Sequence, residues 1–216
     1  DTSTPHSFYI RVGPVNHEPS FRGGGDVSVE EDSGVTYHTK WATELSVGFG
    51  DSPAEQRLFF AVQCTNVALF VSTPSLSSTG TLTVNTAADA NGRAACTVVL
   101  SDSGPGVAPD KNSSAPQSFD IVVIAINDAP SFVPGGNVVV FEDSSSYSQP
   151  WASAIKSGPA NEAAQQLSFQ VSVTQPAIFS SQPALSAAGE LHFTLVPQAW
   201  GTSSATVCLV DDGGEL

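Results

Sequence analysis

The sequence predicts an all-β chain of two tandem sandwiches, and three observations carry this. The chain aligns with itself over nearly its whole length. Its apolar segments are short, rich in β-branched and aromatic residues, and bounded by Gly, Pro, Asn and Ser. No amphipathic stretch of helical period and useful length interrupts them.

The internal repeat runs segment by segment. NHEPSF (16–21) matches NDAPSF (127–132), and VSVEEDSG matches VVVFEDSS, pairing Glu31 and Asp32 with Glu142 and Asp143. KWATELSVG matches PWASAIKSG, pairing Trp41 with Trp151, and QRLFFAV matches QQLSFQV. ALFVSTPSLSSTGTLTV matches AIFSSQPALSAAGELHF, and ACTVVLSDSG matches ATVCLVDDGG, pairing Asp102 with Asp211. Single-residue deletions account for the drift in spacing, so the two halves are copies of one unit.

In the first copy, VSV, LFFAV, TLTV, CTVVL and FDIVVIAI read as strands. Strands about 8–15 residues apart, in modules of roughly 100 residues, indicate sandwiches of the immunoglobulin or cadherin type. Segments 52–57 and 160–166 hold a single helical turn at most. Trp41 and Trp151 are expected to fill the two cores. Gly80 and Gly189 precede strands, where a tight turn requires positive φ. Pro130 in NDAP fixes φ and donates no hydrogen bond, so it separates one sheet from the next.

The start and end of the chain complement each other. SFYIRVGPVNHEP (7–19) matches SFDIVVIAINDAP (118–130), the last strand of the first copy, with Phe8, Ile10 and Val12 alternating with Tyr9 and Arg11. The second copy stops at VDDGGEL without such a strand. The expected organisation is therefore residues 1–15 as the last strand of a preceding module, 16–127 as a complete module, and 128–216 as a second module lacking its last strand. Two arrangements satisfy this: one period of a long tandem array, which is the preferred reading, or separate chains that complete each other by strand donation. Both are head-to-tail and open-ended, which makes fibres of copies of this chain.

Composition narrows the function. The net charge is −14, from 21 acidic and 7 basic residues, which disfavours nucleic acid as a partner because little here neutralises phosphates. An excess of carboxylates is tolerated when spread out, screened or neutralised by bound cations. No run of 18 or more apolar residues exists, so no transmembrane helix is expected. The chain opens on Asp1, contains no Met and shows no signal peptide, as expected of a mature fragment or a window of something longer. His6, His17, His38 and His192 share no metal-ligand spacing, and no nucleophile elbow or phosphate loop occurs, so no enzyme is expected.

The set NDAP, ED(S/A)G, GPANE and DDGG, in the order shown here, resembles the cadherin-like tandem repeats of large bacterial surface and adhesion proteins, often grouped with VCBS-type repeats. Similar modules belong to surface fibres of algae and protists, mastigonemes among them. The resemblance covers nearly the whole chain and implies an extracellular structural or adhesive module. The first copy departs from it, with NHEP for NDAP and GFGDSPAE for GPANEAA, which weakens the case for a metal site at the first boundary. The resemblance implies Ca²⁺ held by Asp, Asn and Glu oxygens, with Asn127, Asp128, Glu142, Asp143, Asp102, Asp211 and Asp212 as candidate ligands. The competing reading is that Asp32 and Asp143 cap turns and that 211–213 is simply a turn.

Other residues carry separate expectations. Cys64 and Cys96 align with Val173 and Ala205, a joint replacement that a disulfide within the first module would show, against two buried thiols. Cys208 aligns with Val99 and reads as a buried core thiol. Asn112 begins the sequon NSS in a long loop and is the candidate for N-glycosylation, while the Ser/Thr-rich seam is open to O-glycans. Trp200 has no aromatic counterpart in the first copy. It reads as a packing contact with a neighbour or, in a glycan-binding adhesin, as a sugar-stacking residue.

Overall fold

The computed structural model describes residues 1–144 and 146–213. The chain divides into two compact units, Asp1–Ile124 and Ala125–Leu216. Each unit is described by itself.

Unit 1 contains nine strands: β1 (Ser20–Arg22), β2 (Val27–Glu30), β3 (Val35–His38), β4 (Thr43–Ser46), β5 (Leu58–Cys64), β6 (Phe70–Leu76), β7 (Leu82–Thr86), β8 (Gly92–Asp102) and β9 (Gln117–Ile124). They form a four-stranded sheet in the order β2-β9-β8-β5, a three-stranded sheet β3-β7-β6, and a β1-β4 pair. The strand β2 runs parallel to β9, while β8 and β5 are antiparallel to their neighbours. Alternation along β8 and β9 turns Ala94, Cys96, Val98, Leu100, Phe119, Ile121 and Val123 inward. There they meet Leu76, Leu82 and Val84 of the facing sheet in one core, as a sandwich requires.

Trp41 closes one end of that core. Its ring lies against Phe119, with centroids 4.4 Å apart, and its Nε1–H donates to the Gly25 carbonyl at 2.9 Å. Gly80 sits beside it with φ of 84°, and a Cβ there would collide with the Ala42 carbonyl. That carbonyl approach explains the glycine: Ala42 N–H donates to the Gly80 carbonyl at 3.0 Å, which brings the two backbones together.

Unit 2 repeats the plan with β10 (Ser131–Val133), β11 (Tyr147–Pro150), β12 (Ser153–Lys156), β13 (Ser168–Val173), β14 (Phe179–Leu185), β15 (Glu190–Leu195) and β16 (Ala205–Val210). The pairs β10-β12 and β11-β15-β14 reproduce β1-β4 and β3-β7-β6. Phe132 and Phe169 meet edge-on at 5.1 Å, as Phe21 and Phe60 do at 5.1 Å in unit 1. Gly189 has the same φ of 84° and the same backbone approach, to Ala152. The expected helical turn at 160–166 is the 3₁₀ turn Ala160–Glu162.

The four-stranded sheet is where the units differ. In unit 2 it is reduced to the β13-β16 pair. The counterpart of β2, residues 138–141, forms no strand, and Phe141 is 83% exposed. The physical reason is visible in unit 1, where β2 hydrogen-bonds β9. Without a strand in the place of β9, VVVF has no ladder to join. Residues 1–15, expected as a strand, likewise form none in this chain, since they have no ladder partner among the described residues.

One expectation is corrected. Cys208 is exposed, not a core thiol. Alternation along β16 half-buries Val207 and Leu209 and turns Cys208 to the opposite face. Val99, its counterpart, sits on the same outer face of β8, between the buried Val98 and Leu100.

Candidate functional site

The acids singled out in the sequence belong to polar networks that repeat between the units. In unit 1, Asn16 Nδ2 donates to Asp102 Oδ1 at 3.1 Å, Gln56 Nε2 donates to Asn16 Oδ1 at 2.6 Å, and Gly104 N–H donates to Asp102 Oδ1 at 2.7 Å. In unit 2, Asn127 Nδ2 donates to Asp211 Oδ1 at 3.1 Å, Gln165 Nε2 donates to Asn127 Oδ1 at 2.8 Å, and Gly213 N–H donates to Asp211 Oδ1 at 3.0 Å. Each network ties the segment that opens a module to the turn after its long central strand. Asp212 Oδ1 accepts from Gln166 N–H at 2.7 Å and so holds the same turn. The sequence reading missed Asn16, Gln56 and Gln165; the signals for them were the matches of NHEPSF with NDAPSF and of QRLFFAV with QQLSFQV.

Asp32 and Asp143 have φ of 59° and 60°. Asp32 Oδ1 accepts from Asp89 N–H at 3.1 Å, and Asp143 Oδ1 accepts from Gln198 N–H at 2.9 Å. Each clamps one turn to another within its own unit. Glu142 lies exposed beside Asp143 in that turn.

The two copies differ at one contact between the opening segment and the short turn that follows. Asp128 N–H donates to Glu162 Oε1 at 2.9 Å, as His17 N–H donates to Asp51 Oδ2 at 2.8 Å in unit 1. In unit 1 the side chain beside the carboxylate is an imidazole, with His17 Nδ1 at 3.5 Å from Asp51 Oδ2. In unit 2 it is a second carboxylate. Asp128 Oδ2 and Glu162 Oε2 are buried without a hydrogen-bond partner among the described residues. Two adjacent carboxylates repel, and hard oxygen donors of this kind suit Ca²⁺. Asp128 and Glu162 are therefore the pair in unit 2 that would hold such an ion, and Glu162 is a residue the sequence reading did not name.

Cys64 and Cys96 are joined, with sulfurs 2.02 Å apart, and they are directly opposed in the β5-β8 ladder. Val173 and Ala205 are opposed at the same place in β13-β16. Asn112 is half-buried, its side chain lies against Gly106, and its Oδ1 accepts from Ser113 Oγ at 3.3 Å. Trp200 is 83% exposed in the turn before β16.

The start of the chain carries apolar side chains in solvent. Ile10 is 80% exposed, whereas Ile121, its counterpart in β9, is 0% exposed. Phe8 and Val12 are exposed as well, where Phe119 and Val123 are buried. These residues carry the sequence of a core strand without a core around them.

No known family profile matches the sequence, and no curated protein matches it either. Among solved structures, the chain is similar to the crystal structure of mouse protocadherin-24 EC1-3, at 11% identity and a TM-score of 0.46, over 88% of this chain and 69% of that one. At that identity and score the likeness assigns neither family nor activity. The all-β, two-unit architecture rests on the strands and sheets described above.

Proposed function

We propose that this chain is a structural repeat unit of an extracellular filament or long surface protein that assembles head to tail. The observation that carries this reading is the repeat itself: two all-β units built on one plan follow each other in one chain. Repetition of one unit builds open, extended assemblies rather than closed ones. The disulfide of unit 1 supports an oxidising, extracellular setting, in which the sequon at Asn112 and the Ser/Thr-rich start are available for glycans. Calcium at Asp128 and Glu162 belongs to the same reading. Electron microscopy and sedimentation of the purified chain test it: filaments whose length grows with concentration are expected, and monomers alone at every concentration would sink it.

The exposed Trp200 favours a second reading, an adhesin module that binds a glycan or protein on another surface. An indole face in solvent stacks on a sugar ring in the same way that it packs against a neighbour. Trp200→Ala separates the two: loss of glycan binding with assembly intact favours the adhesin.

A further inference from the structure

A sheet edge accepts a further strand unless something blocks it, and unit 1 blocks its edges unequally. The β1-β4 pair carries a bulge, with Glu44 at φ of 54°. Strand β3 is four residues long and is followed by Lys40 at φ of 57°. Strand β6 contains Pro74 and shifts register against β7. Strand β2 is four residues long, ends in Glu30 and runs on to Glu31 and Asp32. Edge strand β5, LFFAVQC, has none of these devices. It is seven residues long, holds neither Pro nor charge, and pairs with β8 without a shift. Thr65 N–H donates to the Ala95 carbonyl at 2.9 Å, so the odd-numbered residues of β5 point their backbone groups at β8. Phe60 and Val62 point theirs to the open side, where no strand neighbours β5 among the described residues. We infer that this edge pairs with β5 of a second copy of this chain, antiparallel and across a two-fold axis, so that two four-stranded sheets become one. The pairing joins chains side by side and does not depend on head-to-tail assembly.

The occupant is a second copy because the strand is self-complementary. A net charge of −14 makes copies repel, so a copy approaches best where the facing side chains are neutral. Antiparallel pairing about the midpoint, Ala61, uses every residue of β5. Phe60 then opposes Val62 of the second copy in hydrogen-bonded pairs, and Leu58 opposes Cys64. On the outer face Phe59 opposes Gln63, and Ala61 opposes Ala61. Beyond the strand Arg57 opposes Thr65, so no like charges meet, which would be destabilising directly across a pair. A slip by one residue sets the hydrogen-bonding groups out of phase, and a slip by two leaves strand residues unpaired. The axis falls on a pair without hydrogen bonds, where Cα atoms approach to about 4.5 Å and alanine is small enough to fit. Phe59 is 52% exposed, and Gln63 and Ala61 of the second copy cover part of its ring. In unit 2 the matching strand β13 is also free of charge and Pro, but it sets Gln170 in the place of Ala61 and Ser168 in the place of Phe59. The axis is bulkier there and the exposed aromatic is gone, so the pairing belongs to unit 1.

Cross-linking tests the axis. In a Cys208→Ser background, chains carrying Ala61→Cys are oxidised and run without reductant, beside chains carrying Thr97→Cys, one strand further in on the same outer face. All three positions are exposed, so the substitutions leave the fold alone. A linked dimer is expected from Ala61→Cys, at least tenfold more abundant than from Thr97→Cys. Equal or absent dimers overturn the two-fold axis at Ala61. Amide exchange of the parent chain provides an independent measurement. The Phe60 and Val62 amides are expected to slow at least tenfold between micromolar and millimolar protein, and to stay fast at both in Ala61→Glu, which sets two carboxylates face to face. Slowing that survives Ala61→Glu, or no slowing in the parent chain, overturns the assignment of this edge.

Discussion

At the scale of single residues, the repeated Asn–Gln–Asp networks show how an acid at a matched position earns its place. Asp102 is 1% exposed, and its Oδ1 is held by Asn16 and Gly104. Removing Asn16 takes a donor from a buried charge, a loss of about 1.5–3 kcal/mol for a hydrogen bond to a charged group. Asn16→Ala is therefore expected to lower the stability of unit 1 by about 2–3 kcal/mol in urea unfolding, while Asn127→Ala, at an exposed copy of the network, costs less. Equal losses in both units would contradict a burial-driven cost. The Asp128–Glu162 pair predicts differently. Calcium is expected to raise the melting temperature of unit 2 by several degrees and leave unit 1 unmoved, and Glu162→Gln to remove most of that rise. A calcium effect that survives Glu162→Gln would place the ion elsewhere. These residues also mark where sequence reading stops. Asp102 and Asp211 were legible as a matched pair, but Asn16 is 86 residues from Asp102, and only folding brings a donor so distant in the chain to the carboxylate. Reading matched acids as ligands overlooked Asn16, Gln56 and Gln165, three of the neutral amides in these networks.

At the scale of elements, most strands were legible because their alternation and boundaries are local. Two segments were not, VVVF (138–141) and residues 7–15, because a strand is defined by its partner. VVVF has the β-propensity of VSV and forms no strand, since β2 depends on a parallel neighbour from the far end of its module. Cys208 was misread for a related reason: the aligned residue was identified, but its parity relative to Val98 and Leu100 was not applied. Parity also explains the disulfide. Cys64 and Cys96 face each other across β5-β8, and unit 2 fills the same pair of positions with Val173 and Ala205. Cys64→Val with Cys96→Ala thus copies a pair this architecture already accommodates, and the cost of the change is mainly the lost cross-link. With a separation of 32 residues, the chain-entropy account gives a loss of about 3–4 kcal/mol. Urea unfolding of unit 1 with and without reductant checks this. No change in midpoint on reduction would mean that the ladder, not the bond, holds β5 to β8.

At the scale of the whole molecule, the two units share a plan but not a completeness, so their stabilities must diverge. Unit 1 buries a continuous core from β1 to β9. Among the described residues of unit 2, only Ala152, Leu185 and Phe193 are buried apolar side chains. A chain of this kind does not unfold as one cooperative block. Unit 2 is expected to unfold first, at lower denaturant, with β16 and residues 138–141 exchanging their amides fastest. On the proposed assembly of copies, association through unit 2 would favour its folded form, so mass action would tie the stability of unit 2 to protein concentration. Burial of exposed apolar side chains such as Phe8, Ile10 and Val12 would then contribute about 1.5–3 kcal/mol each, offset in part by the entropy of association. Two denaturation transitions are therefore expected: an upper one, from unit 1, fixed across a hundredfold range of concentration, and a lower one, from unit 2, that rises with it. Fluorescence of Trp151 in a Trp41→Phe, Trp200→Phe background reports the lower transition alone. A lower transition that stays fixed while filaments form would mean that assembly uses some surface other than the open sheet of unit 2.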